Sequence, residues 1–257
     1  MRDHFANNPW LVRHRPQPRA DLSLICFPYA GGSSAIFRPW AEALGQRFDV
    51  CAVQLPGRGS RQLETPLTEL SNIVEALAEA LRPCWQKPFA FFGHSMGAMI
   101  AFELARRLRD EGAPRPRHLF VSGRRAPQWP STKPPTHDLP EPEFIEHLRG
   151  LNGTPAELLA NPELMQLMLP ALRADFAVCQ NYAYRPEPPL ECPISVFGGL
   201  GDSTDREMLE DWREQTRAAF SLHMFPGDHF FLHTSRHLLL STIVARLSQS
   251  QSASSAA

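Results

Sequence analysis

Short apolar segments alternate along this chain with longer segments in which apolar residues recur every three or four positions. The short segments are typical of strands buried on both faces, and the longer ones of helices that bury one side. Strands are predicted at 10–14 (a short edge strand), 22–27, 48–53, 89–92, 118–122, 193–197 and 220–225, and helices at 35–46, 67–81, 98–108, 205–218 and 230–247. This alternation predicts an α/β domain with a mostly parallel central sheet and helices on both of its faces.

The alternation is interrupted between Gly123 and Cys192. A proline-rich stretch is followed there by helical patterns at 141–149, 155–159 and 162–184. In a sheet protein, an insertion of this length usually covers the functional site. The alternative is a helical satellite that only packs on the edge of the sheet. We favour the first interpretation and predict an inserted helical lid at about 124–191.

The composition is that of one globular domain without a strong charge bias. The chain has 257 residues, 43% of them hydrophobic, with 26 basic and 27 acidic side chains. A single domain over residues 1–257 is expected, with a disordered tail at about 248–257 that is rich in Ser, Ala and Gln. No basic stripe suggests nucleic acid, and no apolar segment approaches the ~18 residues of a membrane span. We therefore expect a cytoplasmic protein that binds neither nucleic acid nor membrane.

The five cysteines are scattered, odd in number and without the spacing of a zinc site. Free thiols of this kind suit a reducing compartment. We expect neither a metal nor a cofactor, and we expect a monomer.

The segment Gly93-His94-Ser95-Met96-Gly97 lies between a predicted buried strand and a predicted helix. A serine at the apex of such a turn is the nucleophile elbow of serine hydrolases, in which the hydroxyl stands clear of the sheet. The glycines let strand and helix approach closely, and the helix N-terminus favours negative charge. The alternative is an ordinary turn of small residues between a core strand and a core helix. The flanking pattern favours a catalytic Ser95.

A serine nucleophile needs a base, which in this type of fold lies in a loop after the last strand. His229 follows the last predicted strand and precedes the last predicted helix, so it is the predicted base. His94 adjoins the serine and is expected to point away from it. Other histidines lie on predicted strands or along the last helix, where structural roles are more common: His118, His223, His233 and His237.

The acid that orients the base should follow the preceding strand, where Asp202 and Asp205 compete. Thr204 and Glu207 have the spacing of a capping box, with Thr204 as the N-cap. Asp205 is then a first-turn carboxylate favoured by the helix dipole. Asp202 lies in the glycine-rich turn directly after the strand and has no such role, so it is the predicted acid. Asp228 is expected to cap the last helix.

The tetrahedral intermediate of acyl transfer needs N–H donors aimed at its oxyanion. The first predicted donor is the N–H of Met96, the residue after the nucleophile. The second is expected from the loop Pro28–Gly32, whose glycines permit close approach. We choose Ala30 as this donor, with Tyr29 as its nearest rival. The same loop is also compatible with a plain tight turn between strand and helix.

With these residues in view, the chain resembles the type II thioesterases, the stand-alone α/β-hydrolases that accompany non-ribosomal peptide and polyketide synthases. The resemblance extends over almost the full length. It rests on six motifs, Phe27-Pro-Tyr-Ala-Gly-Gly-Ser33, Gln54-Leu-Pro-Gly-Arg58, Gly93-His-Ser-Met-Gly-Ala98, Ser122-Gly-Arg-Arg-Ala-Pro127, Phe197-Gly-Gly leading to Asp202, and Gly227-Asp-His-Phe230.

The resemblance implies an α/β-hydrolase fold and a function for each predicted site residue. The family's nucleophile corresponds to Ser95, its acid to Asp202, its base to His229, and its oxyanion donors to Ala30 and Met96. The acid loop departs from the family pattern. Glycine precedes the aspartate and serine follows it, where the family often has a further acidic residue and a proline.

The resemblance also implies a substrate, an acyl group in thioester linkage to the phosphopantetheine arm of a carrier protein. The implied role is to remove stalled or incorrect acyl groups from the synthase, and the acyl-loaded carrier protein is the expected partner. Arg58 is a candidate for the phosphate of that arm, although a single loop arginine more commonly has a structural role. An acyl-CoA thioesterase or a small-molecule carboxylesterase would have the same triad. A non-catalytic binding protein would be expected to lack part of it.

Overall fold

A seven-stranded sheet forms the centre of the structure, a computed structural model that describes residues 8–131, 134–151, 153 and 156–254. The strands are β1 Leu11–Val12, β2 Ser23–Phe27, β3 Asp49–Val53, β4 Phe89–His94, β5 Leu119–Ser122, β6 Ile194–Gly199 and β7 Phe220–Phe225. Across the sheet their order is β1-β3-β2-β4-β5-β6-β7, and only β1 is antiparallel to its neighbour. The mostly parallel sheet predicted from the sequence is confirmed.

The central strands are mostly apolar because both faces of the sheet are covered. Strands β2 to β6 are buried along their whole length. Alternate side chains of a strand point to opposite faces. On β4, Phe89 and Phe91 therefore join one apolar core, while Ala90 and Phe92 join the other.

Helices pack on each face and complete the two cores. Helix α1 (Arg38–Leu44) and helix α9 (Arg236–Ser254) contribute to the core that contains Phe92. Helix α2 (Leu70–Ala80) and helix α3 (Met96–Asp110) contribute to the opposite core. Among the described helices, none combines the length and the apolar character that a bilayer span requires.

The strand order places the ends of β2 and β4 at a topological switch point. From β2 the chain moves outward to β3, and it then returns to pair β4 with the other side of β2. Phe27 at the end of β2 lies opposite Gly93 near the end of β4. Ligands of open α/β sheets bind in the crevice at such a point. The loop after β2 and the turn after β4 are therefore side by side.

Three helices occupy the interruption between β5 and β6, namely α4 (Glu141–Gly150), α5 (Ala156–Leu159) and α6 (Pro162–Gln180). They share a small apolar cluster of their own, made of Phe144, Leu148, Leu159, Met165, Leu169 and Leu172. The side chain of Asn161 caps α6 by accepting the N–H of Leu164. Helix α6 ends at Gln180, four residues before the predicted end of this helix.

The predicted helix 35–46 is divided in the structure. Residues Ser34–Phe37 form a 3-10 turn, and α1 begins at Arg38 with Pro39 in its first turn. Proline has no N–H to donate to a preceding turn, so it suits the start of a new helix better than the interior of an existing one.

The predicted helix 205–218 is also divided. It consists of α7 (Arg206–Glu210) and the 3-10 turn Asp211–Gln215. Trp212 in this turn is buried, and its indole N–H donates to the carbonyl of Arg124 at 2.8 Å. No pattern in the sequence predicts this long-range contact.

The last predicted helix, 230–247, begins with a separate short helix α8 (Phe231–Thr234) and continues as α9. Ser235 separates the two, and its hydroxyl donates to the carbonyl of Pro226 at 2.6 Å. The tail predicted to be disordered from residue 248 is helical as far as Ser254, because extending an existing helix needs no new nucleation. Residues 255–257 lie outside the described residues.

Buried histidine makes the stability of the fold sensitive to acid. His118 lies beside β5, stacks on Phe120 and is hydrogen-bonded through Nε2 to Ser195. Burial lowers the pKa of His118 from 6.5 to about 3. Below pH 6.5 the unfolded chain therefore binds a proton that the folded chain excludes. The contribution of neutral His118 to the free energy of unfolding is therefore fully present above about pH 6.5, and it is lost as the pH falls toward 3.

We expect His118→Gln to flatten the pH dependence of the unfolding free energy by up to about 1.4 kcal/mol per unit between about pH 5 and pH 6.5. Urea unfolding at a series of pH values measures this slope. The exposed His237→Gln is the matched control for loss of an imidazole. An equal slope in His118→Gln and the wild type would contradict the assignment.

Candidate active site

Ser95 lies at the turn between β4 and α3 in a backbone conformation that few residues adopt. Its φ is +53° and its ψ is −112°, and no other non-glycine residue in the described part of the chain has a positive φ. Such a conformation persists only where the surrounding structure holds it. The N–H of Ser95 donates to the carbonyl of Ser122 at 2.8 Å. The strand, turn and helix predicted for the nucleophile elbow are therefore present.

The glycines of the elbow are required by close approaches of backbone to backbone. A Cβ on Gly93 would lie 2.2 Å from the carbonyl oxygen of Gly97, and a Cβ on Gly97 would lie 2.1 Å from that of Phe27. Real Cβ atoms do not approach so closely, and backbone atoms in a buried sheet cannot move aside. These contacts hold the start of α3 against the ends of β4 and β2.

Asp202 and His229 come from two loops, after β6 and after β7, and a hydrogen bond joins them. His229 Nδ1 lies 2.8 Å from Asp202 Oδ2. The aspartate side chain is buried, whereas the imidazole is 31% exposed. An ionised carboxylate can only accept, so Nδ1 carries the hydrogen and Nε2 is left as a proton acceptor. The second carboxylate oxygen accepts the N–H of Thr204 at 3.3 Å.

Ser95 and His229 line the same cavity, which has a volume of about 410 Å³. Among the described residues, neither Ser95 Oγ nor His229 Nε2 has a hydrogen-bond partner. Catalytic contacts between a nucleophile and its base commonly tighten when the substrate binds.

The structure distinguishes the candidate carboxylates. Asp205 is the N-cap position of α7 and makes no side-chain cap bond, so the predicted capping box with Thr204 as N-cap is wrong. Thr204 belongs instead to the turn closed by Asp202. Asp228 accepts the N–H of Phe230 at 2.8 Å, one residue before α8 begins. Asp228 thus holds this turn and does not cap the helix.

The other histidines have structural partners. His94 is buried, its Nδ1 is 2.9 Å from Ser122 Oγ, and its ring centroid is 5.0 Å from that of His229. Burial, reinforced by the charge of His229, lowers the pKa of His94, so this imidazole stays neutral beneath His229. His233 is 3.1 Å from the Tyr29 hydroxyl.

The loop after β2 forms a tight turn beside the elbow. The N–H of Gly32 donates to the carbonyl of Tyr29, and Gly31 has a φ of +78°, as expected for the third residue of a type II turn. Ala30 lines the cavity, and its N–H has no hydrogen-bond partner in the described structure. Met96 is the first residue of α3, so its N–H has no intrahelical acceptor.

A buried ion pair connects this loop to helix α6. Asp175 accepts the N–H of Gly31 at 2.7 Å. The same carboxylate receives two hydrogen bonds from Arg58, at 2.5 and 2.7 Å, and both side chains are more than nine-tenths buried. Arg58 therefore has the structural role that single loop arginines commonly have, and it is not free for a phosphate.

Sequence reasoning missed Asp175. The only signal was an acidic residue in the C-terminal half of α6, among mostly apolar neighbours. Neither the helical pattern nor spacing indicates that its carboxylate contacts residues far away in the chain.

The helices inserted between β5 and β6 line the cavity that contains Ser95. Their contribution is largely apolar and includes Leu148 at the end of α4 and Leu172 and Phe176 on α6. A Cβ on Gly31 would lie 2.6 Å from Leu172, so α6 packs directly on the loop after β2.

The fold and the arrangement of the site define an α/β-hydrolase with a serine at the nucleophile elbow. The chain belongs to the Thioesterase domain family, which matches residues 23–248. It is therefore a thioester hydrolase.

Relatives cover nearly the whole chain. The gramicidin S biosynthesis protein GrsT of Aneurinibacillus migulanus is 48% identical over 93% of this chain and 94% of GrsT. A Brevibacillus parabrevis protein named linear gramicidin dehydrogenase LgrE is 46% identical over 96% of this chain and 95% of LgrE. The solved structure of the type II thioesterase BorB, from the borrelidin biosynthetic cluster, has a TM-score of 0.86 at 40% identity over 93% of this chain and 97% of BorB. The name of LgrE specifies a redox reaction for that protein, whereas the family and fold of this chain are those of a thioesterase.

We expect Asp175→Asn to lower the free energy of unfolding by about 3 to 5 kcal/mol, because it leaves the buried Arg58 guanidinium without a counter-charge. Urea unfolding measures the loss. The matched control is Asp205→Asn, which removes an exposed carboxylate without a cap bond and should change stability by less than about 0.5 kcal/mol. Equal stabilities of the two variants would contradict the importance of the ion pair.

Proposed function

We propose that this enzyme hydrolyses acyl thioesters on the phosphopantetheine arm of a carrier protein. It would thereby remove stalled or incorrect acyl groups from a non-ribosomal peptide or polyketide synthase. The names of GrsT and BorB, which refer to gramicidin S biosynthesis and to a borrelidin type II thioesterase, support this proposal. The observation that carries it is the hydrogen bond between Asp202 and His229 in a cavity shared with Ser95. The acyl-loaded carrier protein is the proposed partner.

In the proposed mechanism, His229 is the base and Asp202 holds it in the productive tautomer. His229 Nε2 takes the proton of Ser95 Oγ as the oxygen attacks the thioester carbonyl carbon. The resulting imidazolium is stabilised by the Asp202 carboxylate. When the oxyanion collapses, the C–S bond breaks and His229 protonates the leaving thiolate. The products of this half-reaction are a free thiol and an acyl ester on Ser95.

The second half-reaction uses the same groups with water as the nucleophile. His229 removes a proton from water as the water oxygen attacks the acyl ester. Collapse of this second tetrahedral intermediate breaks the bond to Ser95 Oγ, which recovers its proton from His229. The acid leaves, and the serine is ready for another cycle.

The N–H groups of Ala30 and Met96 are the proposed oxyanion donors. They belong to the two adjacent segments of the topological switch point, the loop after β2 and the start of α3. Preorganised donors of this type stabilise the negative charge that develops on the carbonyl oxygen. The hydrogen bond between Asp175 and the adjacent Gly31 N–H holds the turn that presents Ala30.

The inserted helices α4, α5 and α6 are the proposed lid. Apolar side chains of α4 and α6 form one wall of the cavity and suit the acyl chain of the substrate. A cover of this kind also reduces access of bulk water, which strengthens electrostatic interactions inside the site. The cytoplasmic location and the monomeric state expected from the sequence stay predictions.

Ser95→Ala should reduce release of acid from acyl-carrier protein by about 10³-fold or more, since the nucleophilic oxygen is lost. Liquid chromatography of the released acid with purified enzyme measures the rate. Ser241→Ala removes an exposed hydroxyl on α9 and serves as the control for serine loss. Full activity in Ser95→Ala would contradict the mechanism.

The carrier-protein substrate is tested with one panel of acyl groups, each presented on a carrier protein, on coenzyme A and as a simple oxygen ester. We expect the highest kcat/KM on the carrier protein. A preference for coenzyme A would indicate an acyl-CoA thioesterase, and a preference for the oxygen esters would indicate a carboxylesterase. Absence of hydrolysis, and of labelling by a fluorophosphonate, in folded enzyme would indicate a non-catalytic binding protein.

A further inference from the structure

Two adjacent arginines, Arg124 and Arg125, lie in the loop after β5, one residue beyond the end of the strand, and are partly buried. Both line a second cavity of about 430 Å³. Arg124 also lines the cavity that contains Ser95. The two cavities share Cys179 and Gln180 as well. The arginine pair thus lies where the active-site cavity meets a neighbouring cavity.

The charges of this pair are not balanced by the surrounding residues. Within the part of the chain that the structure describes, no carboxylate lies within 4.0 Å of either guanidinium. The hydrogen-bond partner of the Arg124 guanidinium is the weak acceptor Met99 Sδ, at 3.4 Å. Burial and the neighbouring charge of Arg124 lower the pKa of Arg125.

The more deeply buried arginines of the chain show the opposite arrangement. Arg58 is paired with Asp175, Arg61 with Glu64, and Arg106 with acidic residues on two sides. Burying a cation is unfavourable unless it is paired. Two unpaired cations held next to each other beside a cavity therefore favour an anionic ligand.

We propose that Arg124 and Arg125 bind the phosphate of the phosphopantetheine arm. This inference rests on the proposed function, which supplies an anion at a suitable place in the substrate. The phosphate is at the end of the arm opposite the thioester, so its binding group must lie beside the acyl cavity and not within it. The second cavity has this position, because it shares Arg124, Cys179 and Gln180 with the acyl cavity but contains neither Ser95 nor His229. Guanidinium groups match the oxygens of phosphate through paired N–H donors.

Arg58 is not available for the phosphate, because both of its terminal nitrogens already donate to Asp175. The Arg124 and Arg125 guanidinium groups retain donors for a ligand.

The test compares two small thioesters that differ only in the phosphate, acetyl-pantetheine and acetyl-phosphopantetheine. The measured quantity is the ratio of kcat/KM for the phosphorylated thioester to kcat/KM for the other. We expect the wild type to favour the phosphorylated thioester. Arg124→Gln and Arg125→Gln should each reduce the ratio by about tenfold, chiefly through KM, because each removes charge-assisted hydrogen bonds.

The matched control is Arg38→Gln, which removes an exposed arginine on α1. It should retain the wild-type ratio. The measured quantity is a ratio of two kcat/KM values of the same variant. A smaller fraction of folded enzyme lowers both values equally and leaves the ratio unchanged. A wild-type ratio near one, or variants with the wild-type ratio, would overturn the inference and leave the proposed function intact. Failure of the wild type to hydrolyse any thioester, with hydrolysis of oxygen esters, would overturn the proposed function itself.

Two other anions are distinguished by further arms of the same experiment. Malonyl-pantetheine has a carboxylate on the acyl group and no phosphate. If the variants lose activity on malonyl-pantetheine but not on acetyl-phosphopantetheine, the pair binds an acyl carboxylate and the inference is wrong. If they lose activity only on acetyl-carrier protein, the pair contacts an acidic protein surface, and the inference is again wrong.

Discussion

The close approach of α3 to the carbonyl end of β2 is the constraint on which the site depends. Gly97 lies so near Phe27 that no Cβ fits between them. This contact holds Ser95 in its strained conformation, because the chain has no room to relax between β4 and α3. It also brings the N–H of Met96 next to the loop that contains Ala30. One packing contact thus positions both the nucleophile and the proposed oxyanion donors.

The ion pair of Arg58 and Asp175 extends this arrangement to the inserted helices. It joins the segment after β3, the loop after β2 and helix α6 through one carboxylate. A buried ion pair contributes little net stability compared with apolar packing, but loss of one partner is costly. Its effect here is geometric, since the position of α6 and the conformation of the turn at Gly31 cannot change independently. The wall of the acyl cavity and the oxyanion loop are consequently coupled.

The arginines of this chain illustrate how structure separates residues that a sequence presents as equivalent. Arg58 and Arg124 both follow a predicted strand, within motifs shared with type II thioesterases. One is neutralised by a carboxylate from a distant helix, whereas the other has a thioether as its acceptor. Charge balance depends on which segments meet in space. Structural arginines can therefore be distinguished from ligand-binding ones only in the folded structure.

The sequence alone determined the elements that local chemistry specifies. Apolar strands, the glycines around Ser95 and the turn residues near Asp202 and His229 follow from short-range preferences, so the sheet and the elbow could be predicted. Other local features were not predicted, because they depend on competition between alternative local hydrogen bonds. They are the helix divisions at Pro39 and Ser235, the helical segment Ser248–Ser254, and the absence of a capping box at Thr204. The roles of Asp175 and of the arginine pair became visible only in the tertiary structure, because burial and long-range contacts determine whether a charge has a partner. The strand-turn-helix with Ser95 could thus be predicted from the sequence, whereas the ion pair that supports the neighbouring loop and the unpaired state of the two arginines could not.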